Sequence, residues 1–356
     1  MSMSDTGVLL NKVGASSLPE PGDIERLLAV QGEDGIREIF VFADKVRKDF
    51  CGDGIILRGI IEFSSFCTRE CFYCGLNKGN VVLKRYRMKK PELLEAVRFL
   101  AESNVKTVVL QSGDDANLDP SWMRDVISGI KSNFDIAVTL SIGERNAGDY
   151  RLWRQAGADR FLLKMETTDE ALYSSMHPRM DFKRRLRCLY TLKDLGYQVG
   201  SGNIVGLPGQ TLSSIARDIV FFRKMELDMI GIGPFIPHKD SRFADQSPGD
   251  PVLTLKTIAL TRIANKLAHI PATTALGSLD KDYRLDGLKC GANVLMPNFT
   301  PSCYRRLYEI YPHKRCIDEP VGGCGICMDD AARSLGRFID YSRGDSLKKK
   351  GVVTNV

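Results

Sequence analysis

The rhythm of apolar and polar positions changes about fifty residues into the chain. Before that point it is helical: Ile36, Ile39, Phe40, Ala43, Val46 and Phe50 recur at the spacing of one helix face. Two helices are predicted there, over residues 19–31 and 35–50, with Gly32 and Gly35 marking the break. After Gly52-Asp53-Gly54, short β-rich runs alternate with longer amphipathic stretches. The predicted strands cover residues 56–63, 107–111, 136–140, 160–164, 199–204, 229–232, 270–274 and 293–296. Helices are predicted between them, with Pro91 and Ser121 opening two and Gly157 and Gly196 closing two more. Several strands are nearly all apolar, as strands covered on both faces are. Eight βα units in series predict an α/β fold, a parallel (β/α)8 TIM-type barrel, with an open doubly wound sheet as the alternative.

The expected division is an N-terminal helical extension over residues 1–54, the barrel over 55–300, and a C-terminal segment, 301–356, that closes the barrel and carries a cysteine-bearing loop. Polar or glycine-rich stretches follow the strands: Gln111-Ser112-Gly113-Asp114, Ser141-Ile142-Gly143-Glu144 and Met165-Glu166-Thr167-Thr168 are three of them. In a barrel such ends converge on one face, where barrel enzymes place their sites. Turn chemistry accounts for the glycines and prolines one by one; it accounts less well for so many polar side chains at strand ends.

Composition narrows the class. Hydrophobic content of 43% and charged content of 26% are those of an ordinary globular chain, and 356 residues bury enough apolar surface to fold without disulfides. The net charge of +6 is small, and part of it sits in Lys348-Lys349-Lys350, read as a solvated end. No basic stripe interleaved with aromatics appears, so nucleic acid is not an expected partner. No apolar run is long enough to span a membrane and no export pattern opens the chain, so a cytoplasmic protein with no membrane partner is expected. The 10 cysteines are then metal ligands, catalytic groups or buried thiols.

Three of them stand out. Cys67-Thr-Arg-Glu-Cys71-Phe-Tyr-Cys74 follows the first strand with C-x3-C-x2-C spacing, and no fourth cysteine lies nearby. Such a loop can wrap three corners of a [4Fe–4S] cubane and leave one iron open, as a catalytic zinc keeps an exchangeable position. The open iron can chelate the amino and carboxylate groups of S-adenosylmethionine. A zinc site with a remote fourth ligand and a set of buried thiols are the competing readings. A second trio, Cys316, Cys324 and Cys327, stands in C-x7-C-x2-C spacing within a Gly- and Pro-bearing stretch. It suits a second Fe–S cluster or a zinc ion, or is simply a set of reduced thiols. Arg160 and Lys164 sit at even spacing on one strand, so both point to one face. Directed into a barrel, two cations call for an anionic ligand.

C-x3-C-x2-C with Tyr73 before the last cysteine is the signature of the radical S-adenosylmethionine superfamily. Residues 60–64, 109–113, Val205-Gly206-Leu207-Pro208-Gly209-Gln210-Thr211, 231–238 and Cys290-Gly291-Ala292-Asn293-Val294 further resemble the HydE family of [FeFe]-hydrogenase maturases, related to biotin synthase and methylornithine synthase. The resemblance spans residues 20 to 340 or so. It implies an enzyme that cleaves S-adenosylmethionine reductively to a 5′-deoxyadenosyl radical. It also implies a small substrate containing sulfur and iron, an Fe(CO)2(CN)–cysteine complex delivered by a partner maturase. A flavodoxin or ferredoxin is the implied electron donor, and other hydrogenase maturases the implied partners. For the cofactor it implies a backbone group of Tyr73 against adenine, Gln111 and Ser112 at the methionine amino group, and Ser141 near the ribose. Glu166 accepts hydrogen bonds from the cofactor and Arg185 pairs with its carboxylate. For the substrate it implies Thr139, Arg160, Lys164, Thr273, Thr274, Met296, Tyr308 and Tyr311. The Cys316, Cys324 and Cys327 spacing resembles that of members with a variable auxiliary [2Fe–2S] or [4Fe–4S] cluster.

Three other readings stand beside this one: a methylornithine-synthase-like mutase, a HydE-like paralogue with another small substrate, and a non-catalytic Fe–S or zinc scaffold.

Overall fold

Apolar runs that fill a strand on both faces need a layer outside and a packed interior, and both are present. The computed structural model describes residues 3–315, 317 and 324–348; for 3, 4 and 324–327 it describes the backbone alone. Three helices open the chain: α1 (Met3–Ala15), α2 (Pro21–Leu28) and α3 (Glu33–Cys51). Then come β1 (Gly54–Leu57) and β2 (Gly59–Ser64), split at Arg58 where a single strand is predicted from sequence. The alternation continues through α4 (Lys90–Glu102), β3 (Thr107–Ser112), α5 (Pro120–Asn133), β4 (Ala137–Ser141), α6 (Ala147–Gln155) and β5 (Arg160–Leu162). It goes on with α7 (Glu170–Met176), α8 (Phe182–Asp194), β6 (Gln198–Val205), α9 (Leu212–Lys224), β7 (Met229–Pro234) and α10 (Pro251–Ala264). The chain ends in α11 (Arg284–Lys289), β8 (Val294–Leu295), α12 (Ser302–Arg305), α13 (Cys324–Ser334) and β9 (Phe338–Asp340).

Local chemistry sets the helix starts. Asp119, Asn146, Asp169, Asp181 and Thr211 each accept a backbone N–H of the turn they precede, and Pro91, Pro120 and Pro251 stand in the first turn. Gly157 and Gly196 close α6 and α8 at φ 108° and 76°, which a side chain would strain.

Strands β2 to β7 form one parallel sheet in sequence order. The ring is completed by single bridges rather than a full ladder: Met229 with His269, Pro271 with Val294, and Ile60 with Asn298. The strand predicted over residues 270–274 is reduced to these contacts. Pro271 has no N–H for a ladder, and the chain enters a 3-10 turn at Thr274. The eight-stave parallel α/β barrel stands.

Helices α1 to α3 pack on the outside of α10, which is buried from Thr254 to Ala264. Lys256, inside that contact, gives its ammonium to the carbonyls of Leu28 (2.5 Å) and Val30 (3.1 Å). At the opposite end, the tail crosses the base of the barrel. The Arg343 carbonyl accepts from Thr107 Oγ1 (2.8 Å), the Asp345 carbonyl faces His269 Nε2 (2.9 Å), and Ser346 Oγ donates to Asp228 (2.6 Å). Lys348 is therefore no solvated end: its ammonium reaches the Leu227 carbonyl at 2.8 Å.

Candidate active site

Register brings the site together at the top of the barrel. Glu62 on β2 pairs with Gln111 on β3, and Gln111 with Ser141 on β4, so three polar side chains form one row. They face a cavity of about 360 Å³. Cys67, Cys71, Cys74, Tyr73, Ser112, Lys164, Glu166, Arg185, Thr273, Thr274, Met296, Tyr308 and Tyr311 line the same space.

The cysteine loop is tied to its surroundings by its backbone. Thr68 N donates to Asp114 O (2.9 Å), Phe72 N to Met176 O (3.1 Å) and Gly75 N to Ile310 O (2.9 Å). At Gly113 a Cβ would stand 2.4 Å from the Phe66 carbonyl, so only glycine lets the end of β3 approach this closely. Burial pushes the thiol of Cys74 up to about 12, and the charge of Cys67 adds to it. Cys71 rises well above the usual thiol range for the same reason, with Cys74 and Cys67 adding. Three thiolates so placed need compensating positive charge, which an iron–sulfur cluster supplies. Among the described residues, no three His, Cys, Asp or Glu side chains are grouped as around a single metal ion, and no fourth cysteine lines the cavity. Three thiols of one loop on one cavity fit a cubane with one corner free.

Opposite the thiols, Arg185 donates through Nε to the Lys164 carbonyl (2.7 Å) and through Nη1 to Glu144 (3.0 Å). Burial opposes its charge, but Tyr173, Glu144 and Glu166 more than offset this, so its pKa is raised. Glu166 holds φ at 66°, a strained backbone for a side chain, and its Oε2 lies 2.9 Å from the Lys164 ammonium without hydrogen-bond alignment. Asp218 fixes the following turn by accepting from Thr168 N and Oγ1, both at 2.6 Å. Tyr73 donates its hydroxyl to His177 Nε2 (2.8 Å), because His177 Nδ1 faces the Tyr173 carbonyl (2.8 Å) and must carry the ring proton. Burial and then Arg185 lower His177 to about 3, so the ring is neutral.

Segment 306–315 lines the cavity through Tyr308, Ile310, Tyr311 and Lys314. Its anchor is a buried ion pair between the Lys314 ammonium and Glu62, whose other oxygen accepts from Asn298 (3.2 Å) and Thr300 (3.4 Å). Lys314 also donates to the Tyr308 carbonyl (3.1 Å), holding that ring beside Gln111.

Two predicted substrate residues lie elsewhere. Arg160 and Thr139 pair with each other across β4 and β5 and do not line the cavity. Arg160 is fully buried at the base, donating to Thr107 (2.9 Å), Gln198 (3.0 Å), the Arg343 carbonyl (2.7 Å) and Asp345 (2.8 Å). Even spacing fixes the face of a strand but not the height: Lys164 stands about 13 Å further along the chain than Arg160. Cys316 lies outside the described residues. The backbones of Cys324 and Cys327 belong to helix α13, where sequence predicts a loop. Sequence reasoning missed Glu144, His177, Asp114, Glu62 and Lys314. The Ser141-Ile142-Gly143-Glu144 strand end was the one available hint for Glu144.

Comparison with known proteins shows the family of the chain. The model of the radical SAM superfamily matches residues 61–222. The chain is 45% identical over 314 residues to the [FeFe] hydrogenase maturase subunit HydE of Thermotoga maritima, covering 88% of this chain and 90% of that one. It is 25% identical to 3-methylornithine synthase of Methanosarcina acetivorans, over 77% of each. In three dimensions it resembles the crystal structure of methylornithine synthase (TM-score 0.83, 23% identity, 95% and 98% covered). It also resembles that of the [FeFe]-hydrogenase maturase HydG (0.82, 19%, 96% and 77%). At those identities the structural likeness speaks for the fold. Among the described residues, no helix is long and apolar enough to cross a membrane.

Proposed function

Because the chain belongs to the radical S-adenosylmethionine superfamily, and within it to the HydE family, we propose that it acts in assembly of the [FeFe]-hydrogenase H-cluster on a small sulfur- and iron-containing precursor. The observation that supports this reading is the convergence of three thiols of one loop, the Glu166 carboxylate and the Arg185 guanidinium on one cavity.

Cys67, Cys71 and Cys74 would hold the [4Fe–4S] cluster. Bound together, that cluster and S-adenosylmethionine supply a one-electron cleavage of a carbon–sulfur bond and a 5′-deoxyadenosyl radical. The chain's own side chains bind, orient and exclude water. Arg185, already aimed by Glu144 and the Lys164 carbonyl, would take the cofactor carboxylate as a charge-assisted hydrogen bond. Glu166 would accept from the cofactor, Gln111 and Ser112 would meet its amino end, Ser141 its ribose, and the Tyr73 backbone its adenine. Lys164, Thr273, Thr274, Met296, Tyr308 and Tyr311 face the remaining space and would hold the substrate, Lys164 offering charge to an anion. Tyr308, Ile310 and Tyr311 of segment 306–315 line the cavity and would help keep water from a reactive centre. Partner maturases, a flavodoxin or ferredoxin as donor, and a second cluster on Cys316, Cys324 and Cys327 complete the reading.

The test is direct. Anaerobic, cluster-loaded protein reduced with dithionite and given S-adenosylmethionine is expected to release 5′-deoxyadenosine. A fully loaded cluster that yields none overturns the enzymatic role.

A further inference from the structure

From Lys78 to Lys90 the chain carries six cations and no carboxylate. Two of the six are used internally. Arg85 donates to the carbonyls of Ser65 (2.6 Å), Leu76 (3.1 Å) and Asn77 (2.7 Å), and Arg87 pairs with Asp115 while lying 4.9 Å over the Phe66 ring. Lys78, Lys84 and Lys89 are exposed and, with Lys90, make no ion pair among the described residues. At the tip of this segment stand Val81, 89% exposed, and Val82, 75% exposed.

The segment and the adjoining Asn77 are hydrogen-bonded to the backbone of the cysteine loop. Lys78 N donates to Arg69 O (2.7 Å), Asn80 Nδ2 to Gly75 O (2.8 Å) and Asn77 Nδ2 to Cys74 O (2.6 Å). The thiols of the loop open on the cavity, and Lys78 and Asn80 hold the exposed basic segment, with Val81 and Val82, beside the loop's backbone. We infer that residues 78–90 form the docking surface for a small acidic one-electron carrier protein, seated where its redox centre faces the cysteine loop. The inference rests on the cluster assigned above to Cys67, Cys71 and Cys74. The carrier gives up one electron, the cluster gains it, and no bond or proton moves.

The chemistry of the segment selects the class of partner. Cations around a small apolar centre match an acidic rim around an apolar contact, the anatomy of a transient protein interface. Single-stranded nucleic acid asks for stacking rings, and valines offer none. A membrane surface asks for an amphipathic helix, which this irregular segment lacks.

The test uses cluster-loaded protein and flavodoxin hydroquinone as the carrier, with stopped-flow reduction and calorimetric titration at low ionic strength. For the triple variant K78E/K84E/K89E we expect flavodoxin-driven reduction at least tenfold slower and binding correspondingly weaker, with dithionite reduction unchanged. Added salt is expected to slow the wild-type reaction and not the variant's. The pair V81S/V82S, which leaves every charge in place, is expected to weaken binding while keeping the salt dependence. Equal flavodoxin rates in wild type and triple variant overturn the inference, as does a salt-independent wild-type rate. Tighter binding of phosphatidylserine vesicles or single-stranded DNA than of flavodoxin overturns it too. Loss of dithionite reduction in the wild type would remove the cluster assignment itself, and the inference with it.

Discussion

The Glu144 carboxylate lies 3.0 Å from the Arg185 guanidinium and is almost wholly buried, with Arg69 and Arg184 on its other side. It thereby aims Arg185 at the cavity before any ligand arrives. Glu144→Gln keeps the shape and removes the charge, so S-adenosylhomocysteine should bind about tenfold more weakly, roughly 1.4 kcal/mol. Arg185→Met removes the charged donor itself and should cost about 2–3 kcal/mol. Calorimetry on the cluster-loaded proteins checks both. Undiminished affinity in Arg185→Met would detach this residue from cofactor binding.

Arg160 and Asp345 form a structural pair at the base of the barrel, 2.8 Å apart. Asp345→Ala leaves a buried cation short of its counter-charge and should destabilise the fold by about 3 kcal/mol in urea denaturation. Cofactor affinity at the far end should stay within twofold of wild type. A selective loss of ligand binding at unchanged stability would return Arg160 to the site.

The sequence made the barrel legible because each strand is an apolar run between capped helices, and both signals are local. The cysteine triad was legible for the same reason, three donors in eight residues. What stayed hidden depends on contacts far apart in sequence. Glu144 and Arg185 stand 41 positions apart and Glu62 and Lys314 252, so no window along the chain joins them. Arg160 and Thr139 misled because periodicity gives the direction of a side chain and not its height in the barrel.

His269 sets a pH dependence. Burial, then Arg58, lowers it to about 3, and its ring is fixed by the Asp345 carbonyl and the Asn293 amide. The unfolded chain takes up this proton near the ordinary value of 6.5 and the folded one does not. The stability it contributes is therefore complete above 6.5 and is lost as the pH falls toward 3. Between pH 6.5 and 5 the loss should reach about 2 kcal/mol for this group. His269→Gln should lose less stability than wild type over the same interval, measured by urea denaturation. Parallel curves for the two proteins would contradict the assignment.

The two cysteine trios should separate by mutation. Cys71→Ser is expected to abolish 5′-deoxyadenosine formation under dithionite, while Cys324→Ser retains most of it. Product analysis after anaerobic reconstitution decides this, and equal loss in both would refute the division into catalytic and auxiliary sites.

The measurement closest to the central claim is Mössbauer spectroscopy of the protein reconstituted with 57Fe, in a Cys316/Cys324/Cys327→Ser background, before and after S-adenosylmethionine. A cubane held by three thiolates should show one iron of the four changing its parameters when the cofactor chelates it. A mononuclear tetrahedral ion, or four irons indifferent to the cofactor, would contradict the account.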